Sequence, residues 1–128
     1  MPAANDLNCK VYIDTSTERA ELARQISALT GGAVERFTVT AACAEMDVQL
    51  NEEFDEKRRA EFPDGFLYFR YVVEMYTSPG EEAQCRHLVA KIVGYFWSNT
   101  IPCVAACDYE DELPNRGGYN STAVPWVK

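Results

Sequence analysis

Histidine is almost missing from this chain: of its 128 residues only His87 carries an imidazole. His87 falls inside a predicted helix, one residue before Leu88, and no serine or cysteine lies at a motif-defined distance from it. Nothing in the sequence therefore sets up a nucleophilic triad, and a place on the helix surface is expected. Phosphate-cradling loops are missing too, because Gly31-Gly32 and Gly117-Gly118 are isolated pairs, with neither G-x-G-x-x-G nor a Walker pattern around them. Long apolar runs are lacking: Val89–Trp97 is interrupted by Lys91 and Gly94 and is far shorter than a membrane span, so no membrane contact is expected. Met1–Asn8 has neither the basic nor the apolar region of a secretion signal, which points to the cytoplasm. There the Asn120-Ser121-Thr122 sequon has no meaning. Basic residues are scarce, 12 against 20 acids for a net charge of −8, and direct nucleic-acid binding is disfavoured because a phosphate backbone needs a basic surface.

The cysteines do not form a framework. Cys9, Cys43, Cys85, Cys103 and Cys107 are odd in number and scattered through predicted strands and helices. Cys103 and Cys107 fall on one predicted strand, where a four-residue spacing separates them by about 13 Å, too far to share a tetrahedral zinc. Free, buried thiols are expected, with no metal and no cofactor.

What is present suits one globular domain. Nearly half the residues are apolar and a quarter are charged, so a core can form without a disulfide or metal staple. Cys9–Asp14 alternates as a strand does. Thr15-Ser16-Thr17-Glu18 has the form of a capping box; Leu22, Ile26 and Leu29 follow at helical spacing, and Gly31-Gly32 offers a left-handed exit. Val34–Thr40 and Ala44–Asn51 alternate and suggest a hairpin, with Phe37, Val39, Met46, Val48 and Leu50 inward. Asn51–Glu61 is a charged loop or short helix, ended by the turn signal Phe62-Pro63-Asp64-Gly65. Phe66–Tyr76 is predicted as one long strand, with Leu67, Phe69, Tyr71, Val73 and Met75 on one face. Ser78-Pro79-Gly80-Glu81 has the form of a second capping box, with proline opening a helix whose buried stripe is Cys85, Leu88, Val89, Ile92 and Phe96. Ile101–Cys107 completes the order β-α-β-β-β-α-β. The expected fold is α+β, a mainly antiparallel sheet with two helices on one face, as a ferredoxin-like variant with one extra strand. Residues 1–114 are expected to form the domain and residues 115–128 a tail.

The acid is local. Residues 45–64 are net −5 and residues 108–112 net −4, leaving the rest of the chain about +1. Three readings fit: a solvated face, an electrostatic landing surface for a basic partner, or a metal (magnesium or calcium) or acid–base site at Asp108–Glu112. The last lacks the glycine that a calcium loop places at its sixth position. The candidate partner-binding residues are Asp108, Tyr109, Glu110, Asp111 and Glu112, with Glu52, Glu53, Asp55 and Glu56 as a second patch. Phe66, Tyr68 and Tyr76 are expected on the strand face opposite the helices beside Arg70 and Glu74, where packing on an open sheet or an interface would each use them.

Two segments, Phe62-Pro63-Asp64-Gly65-Phe66-Leu67-Tyr68-Phe69-Arg70-Tyr71 and Ala105-Ala106-Cys107-Asp108-Tyr109-Glu110-Asp111-Glu112-Leu113-Pro114, resemble stretches of small bacterial proteins. In size, acidity and lack of a catalytic motif the chain is similar to immunity proteins of contact-dependent and related polymorphic toxin systems. Those proteins share no common fold or motif, so no residue role carries over. The resemblance implies a non-enzymatic role, binding and neutralising a cognate toxin, often a basic nuclease. A metal-dependent hydrolase at Asp108–Glu112 is the alternative. A ligand-binding regulatory domain, pairing as a homodimer through its sheet, is a third reading.

Overall fold

The computed structural model describes residues 9–60 and 64–107. Six strands are formed: β1 (Cys9–Ile13), β2 (Ala33–Glu35), β3 (Thr38–Thr40), β4 (Ala44–Leu50), β5 (Tyr71–Thr77) and β6 (Cys103–Cys107). The helices are α1 (Arg19–Thr30) and α2 (Glu82–Ser98). All strands join one sheet in the order β2-β3-β4-β5-β1-β6, and every neighbouring pair is antiparallel. β1 and β4 therefore run parallel with β5 between them, linked by α1 and the β2–β3 hairpin.

Both helices cover the sheet face that carries Cys9, Val11, Ile13, Met46, Val48, Val73, Met75 and Ala105, all buried. Leu22, Ala23 and Ile26 from α1 and Val89, Ile92, Val93 and Phe96 from α2 are fully enclosed against it. The indole Nε1 of Trp97 donates to the carbonyl of Cys103 at 2.8 Å, and so fastens α2 to the edge strand β6. Tyr71 Oη donates to the carbonyl of Thr17 at 2.7 Å and anchors the entry to α1. At the exit of α1, Gly31 takes φ +75° and its N–H closes on the Ser27 carbonyl, the left-handed stop expected of a Gly-Gly pair.

Several sequence expectations need correction. Phe66–Tyr76 is not one strand: Asp64–Tyr68 winds as a short 3-10 helix and β5 begins at Tyr71. That turn puts Phe66 and Phe69 together, where with Val104 they form a small second core on the sheet face away from the helices. Leu67, expected inward, is exposed. Val34–Thr40 is likewise two strands, because Arg36 takes φ +57° and reverses the chain. The β3–β4 hairpin forms as expected, with Ala41 N–H on the Ala44 carbonyl. Leu50 is paired with the core residue Tyr71 on the helix-covered face, as expected, but ends β4 largely exposed.

Neither capping box is made. Glu18 and Glu81 are the N-caps, without side-chain capping bonds. Thr15 Oγ1 instead accepts from the Thr17 N–H, and Pro79 precedes the helix in a turn closed by Glu81 N–H on the Ser78 carbonyl. His87 is exposed on α2, as its sequence context implied. None of the five cysteines is in a disulfide; four are buried, Cys107 is only partly so, and Cys103 and Cys107 lie at opposite ends of β6. No helix among the described residues is long and apolar enough to cross a membrane.

Candidate functional site

The sheet face away from the helices is set by strand alternation. Directly paired residues of an antiparallel ladder share a face, so Glu35, Thr38, Asp47, Glu74, Lys10 and Ala106 form one row running from β2 to β6. Thr40, Glu45 and Tyr76 form the next row. Among the described strand residues, four carboxylates thus stand on the β2–β5 half of this face, opposed by Lys10.

Asp47 and Glu74 are direct cross-strand partners, an arrangement of like charges that destabilises a sheet. Local bonds hold them. Asp47 accepts from Thr38 Oγ1 at 3.1 Å and from Gln49 Nε2 at 2.8 Å. Tyr76 Oη donates to Glu74 Oε1 at 2.7 Å, while Lys10 Nζ reaches the other oxygen only at 3.9 Å. The Tyr76 phenol is pushed up to about 12, first by its bond to Glu74, then by desolvation and the nearby charges of Glu74, Asp47 and Glu45. Tyr12, on the same face, is also raised, by burial and then by Glu74. These carboxylates act as one field.

The β1–β6 half of the face is different. The small core of Phe66, Phe69 and Val104 covers it, with Tyr12 edge-on to Phe66 at 5.2 Å between ring centroids. Between the two halves lies a cleft of about 330 Å³ lined by Lys10, Tyr12, Asn51, Glu53, Leu67, Tyr68 and Val72.

Of the residues singled out in sequence, Asp108, Tyr109, Glu110, Asp111 and Glu112 lie outside the described residues, as does the 115–128 tail. Glu52, Glu53, Asp55 and Glu56 are in place but do not make a purely acidic patch. Asp55 caps a 3-10 turn, accepting the N–H groups of Lys57 and Arg58 at 2.9 Å, and those backbone bonds, Arg58's first, lower its carboxyl. Arg58 stacks on Tyr68, Arg70 on Phe54, and Arg59 pairs with Asp14, so the segment is interleaved with cations. Only Glu53 reaches the cleft on the open face. The residues that site selection missed are Glu35, Glu45, Asp47 and Glu74. The signal was period-two alternation, which sets Glu45 and Asp47 opposite Met46 and Val48 and sets Glu74 opposite Val73 and Met75.

Among the described residues no group of three or more His, Cys, Asp or Glu side chains is placed to hold a metal ion. No family model, curated protein or solved structure matches the chain.

Proposed function

We propose that this chain is a cytoplasmic binding protein of the immunity type, which neutralises a basic toxin domain by seating it on the carboxylate-bearing half of its open sheet face. The observation that carries the reading is the Asp47–Glu74 pair: a sheet gains nothing from two acids in direct register, whereas a partner's arginine or lysine would gain from both. Tyr76 beside them is exposed and already orients Glu74, and tyrosine is a favoured anchor at protein interfaces. Glu53, which lines the cleft on the same face, adds to the negative field that would steer a cation inward. A second copy of the chain is a poorer occupant, because stacking this face on itself would bring carboxylate against carboxylate. The strand order, with β5 between the parallel β1 and β4, supports a ferredoxin-like core extended by the β2–β3 hairpin.

The test is co-expression with the C-terminal domain encoded by the gene immediately upstream. A complex should form with wild type and be lost in the Glu35→Gln, Glu45→Gln, Asp47→Asn, Glu74→Gln variant. A complex indifferent to those four changes would move the interface elsewhere. Absence of any complex would remove the immunity reading itself.

A further inference from the structure

On the helix-covered side, a cleft of about 530 Å³ lies between α1 and the β2–β3 hairpin, lined by Ala20, Arg24, Val34, Arg36 and Phe37. That volume lies in the ordinary range of small-ligand sites. Val34 is paired with the fully buried Val39 and so faces inward, yet it is 39% exposed. The lining is otherwise fixed. Arg19 lies 4.0 Å over the Phe37 ring and its Nε donates to the Val48 carbonyl at 2.8 Å, clamping that ring in place.

Two guanidinium groups border this apolar surface. Arg24 uses Nε and one terminal nitrogen on the same oxygen of Glu21, which leaves its other donors available. Arg36 makes no hydrogen bond or ion pair among the described residues. It also holds the left-handed φ of +57°, where glycine or asparagine would sit without strain. Arginine at that position has no folding rationale in the structure.

We infer that this cleft is a binding site for a small amphiphilic carboxylate, an apolar chain or ring ending in one carboxyl group. Arginine matches a carboxylate in a two-pronged geometry, and Ala20, Val34 and Phe37 suit an apolar body. With Arg24 already partly engaged by Glu21, the cleft offers the donors for one carboxylate rather than the denser cationic set that a multiply charged anion such as phosphate needs.

The experiment is an amide chemical-shift titration of the ¹⁵N-labelled chain with octanoate, run at constant ionic strength beside octanamide and inorganic phosphate. Octanoate should give saturable shifts at Ala20, Arg24, Val34, Arg36 and Phe37, and neither control should match it. Arg36→Gly relaxes the backbone while removing the guanidinium, so it should stay folded and weaken octanoate binding by about tenfold or more. Three results overturn the inference: no saturable shifts in the cleft, octanamide or phosphate binding as well as octanoate, or unchanged affinity in folded Arg36→Gly protein.

Discussion

Arg59 Nη1 lies 3.0 and 2.9 Å from the two carboxylate oxygens of Asp14, joining the charged loop after β4 to the end of β1 across 45 positions of sequence. The Asp14 side chain is 12% exposed, so the pair is screened less than a surface ion pair. Arg59→Met keeps most of the stem and leaves the carboxylate without its cation, and about 1–3 kcal/mol of stability should be lost. Urea unfolding measures the loss. In the double variant with Asp14→Asn the two costs should not add, and simple additivity would show that the contact contributes nothing.

Substitutions of the adjacent glycines at the end of α1 should both destabilise, but for different reasons. A Cβ on Gly32 would stand 2.8 Å from Val39 Cγ1 and 2.9 Å from the Thr40 carbonyl oxygen, and the backbone atom cannot give way. Gly32→Ala should therefore cost about 1–3 kcal/mol through overpacking. Gly31→Ala meets nothing within 4 Å and suffers only the strain of its left-handed φ, about 1–2 kcal/mol. Thermal melts of both variants decide it. Separation of the hairpin from α1, seen as altered shifts at Val39, should occur in the Gly32 variant alone.

Tyr76 gives a pH signature of the acidic face. Its folded pKa is raised to about 12, from an ordinary value of about 10. The unfolded chain therefore ionises first. The phenol's stabilising contribution is whole below about pH 10 and is lost as pH rises through about 12. Phenolate absorbance, with Tyr76→Phe subtracted, should show this late titration, and Glu74→Gln should bring it back toward the ordinary range. A Tyr76 that titrates normally in the wild type would mean that its bond to Glu74 is not held in solution.

The helices and most strands were legible because each rests on a local period, although six strands form where five were expected: Val11 and Ile13 alternate in β1, while Cys85, Val89, Ile92 and Phe96 repeat at helical spacing in α2. The two split segments were not legible. Phe66–Tyr76 is rich enough in aromatic and β-branched residues to read as one strand, but Phe66 is buried against Val104 and Tyr12, a long-range gain that no local window contains. Likewise no residue type marks Arg36 as a turn, since arginine rarely takes positive φ. For the site, counting charge along the chain favoured Glu52–Glu56, where acids are dense in sequence. Space reverses that order: Arg58, Arg59 and Arg70 fold back onto the same loop, while Glu35, Asp47 and Glu74 converge from three separate strands.

That reversal predicts how binding to a basic partner should divide between rates. Glu52 and Glu56 are exposed on a loop among cations, and at 0.15 M salt charges are screened beyond about 8 Å. Neutralising them should slow association at low salt and leave dissociation unchanged. Asp47 and Glu74 sit centrally on the face, each already bonded through one or both oxygens, so a partner's cation seated between them would be desolvated. Asp47→Asn or Glu74→Gln should then hasten dissociation, at a cost of roughly 2–5 kcal/mol that salt barely alters. Stopped-flow association and chase-dissociation measurements across a salt series separate the two behaviours. If the loop variants change the off-rate while the sheet variants change only the on-rate, the partner is seated on the loop and the carboxylate row is its rim.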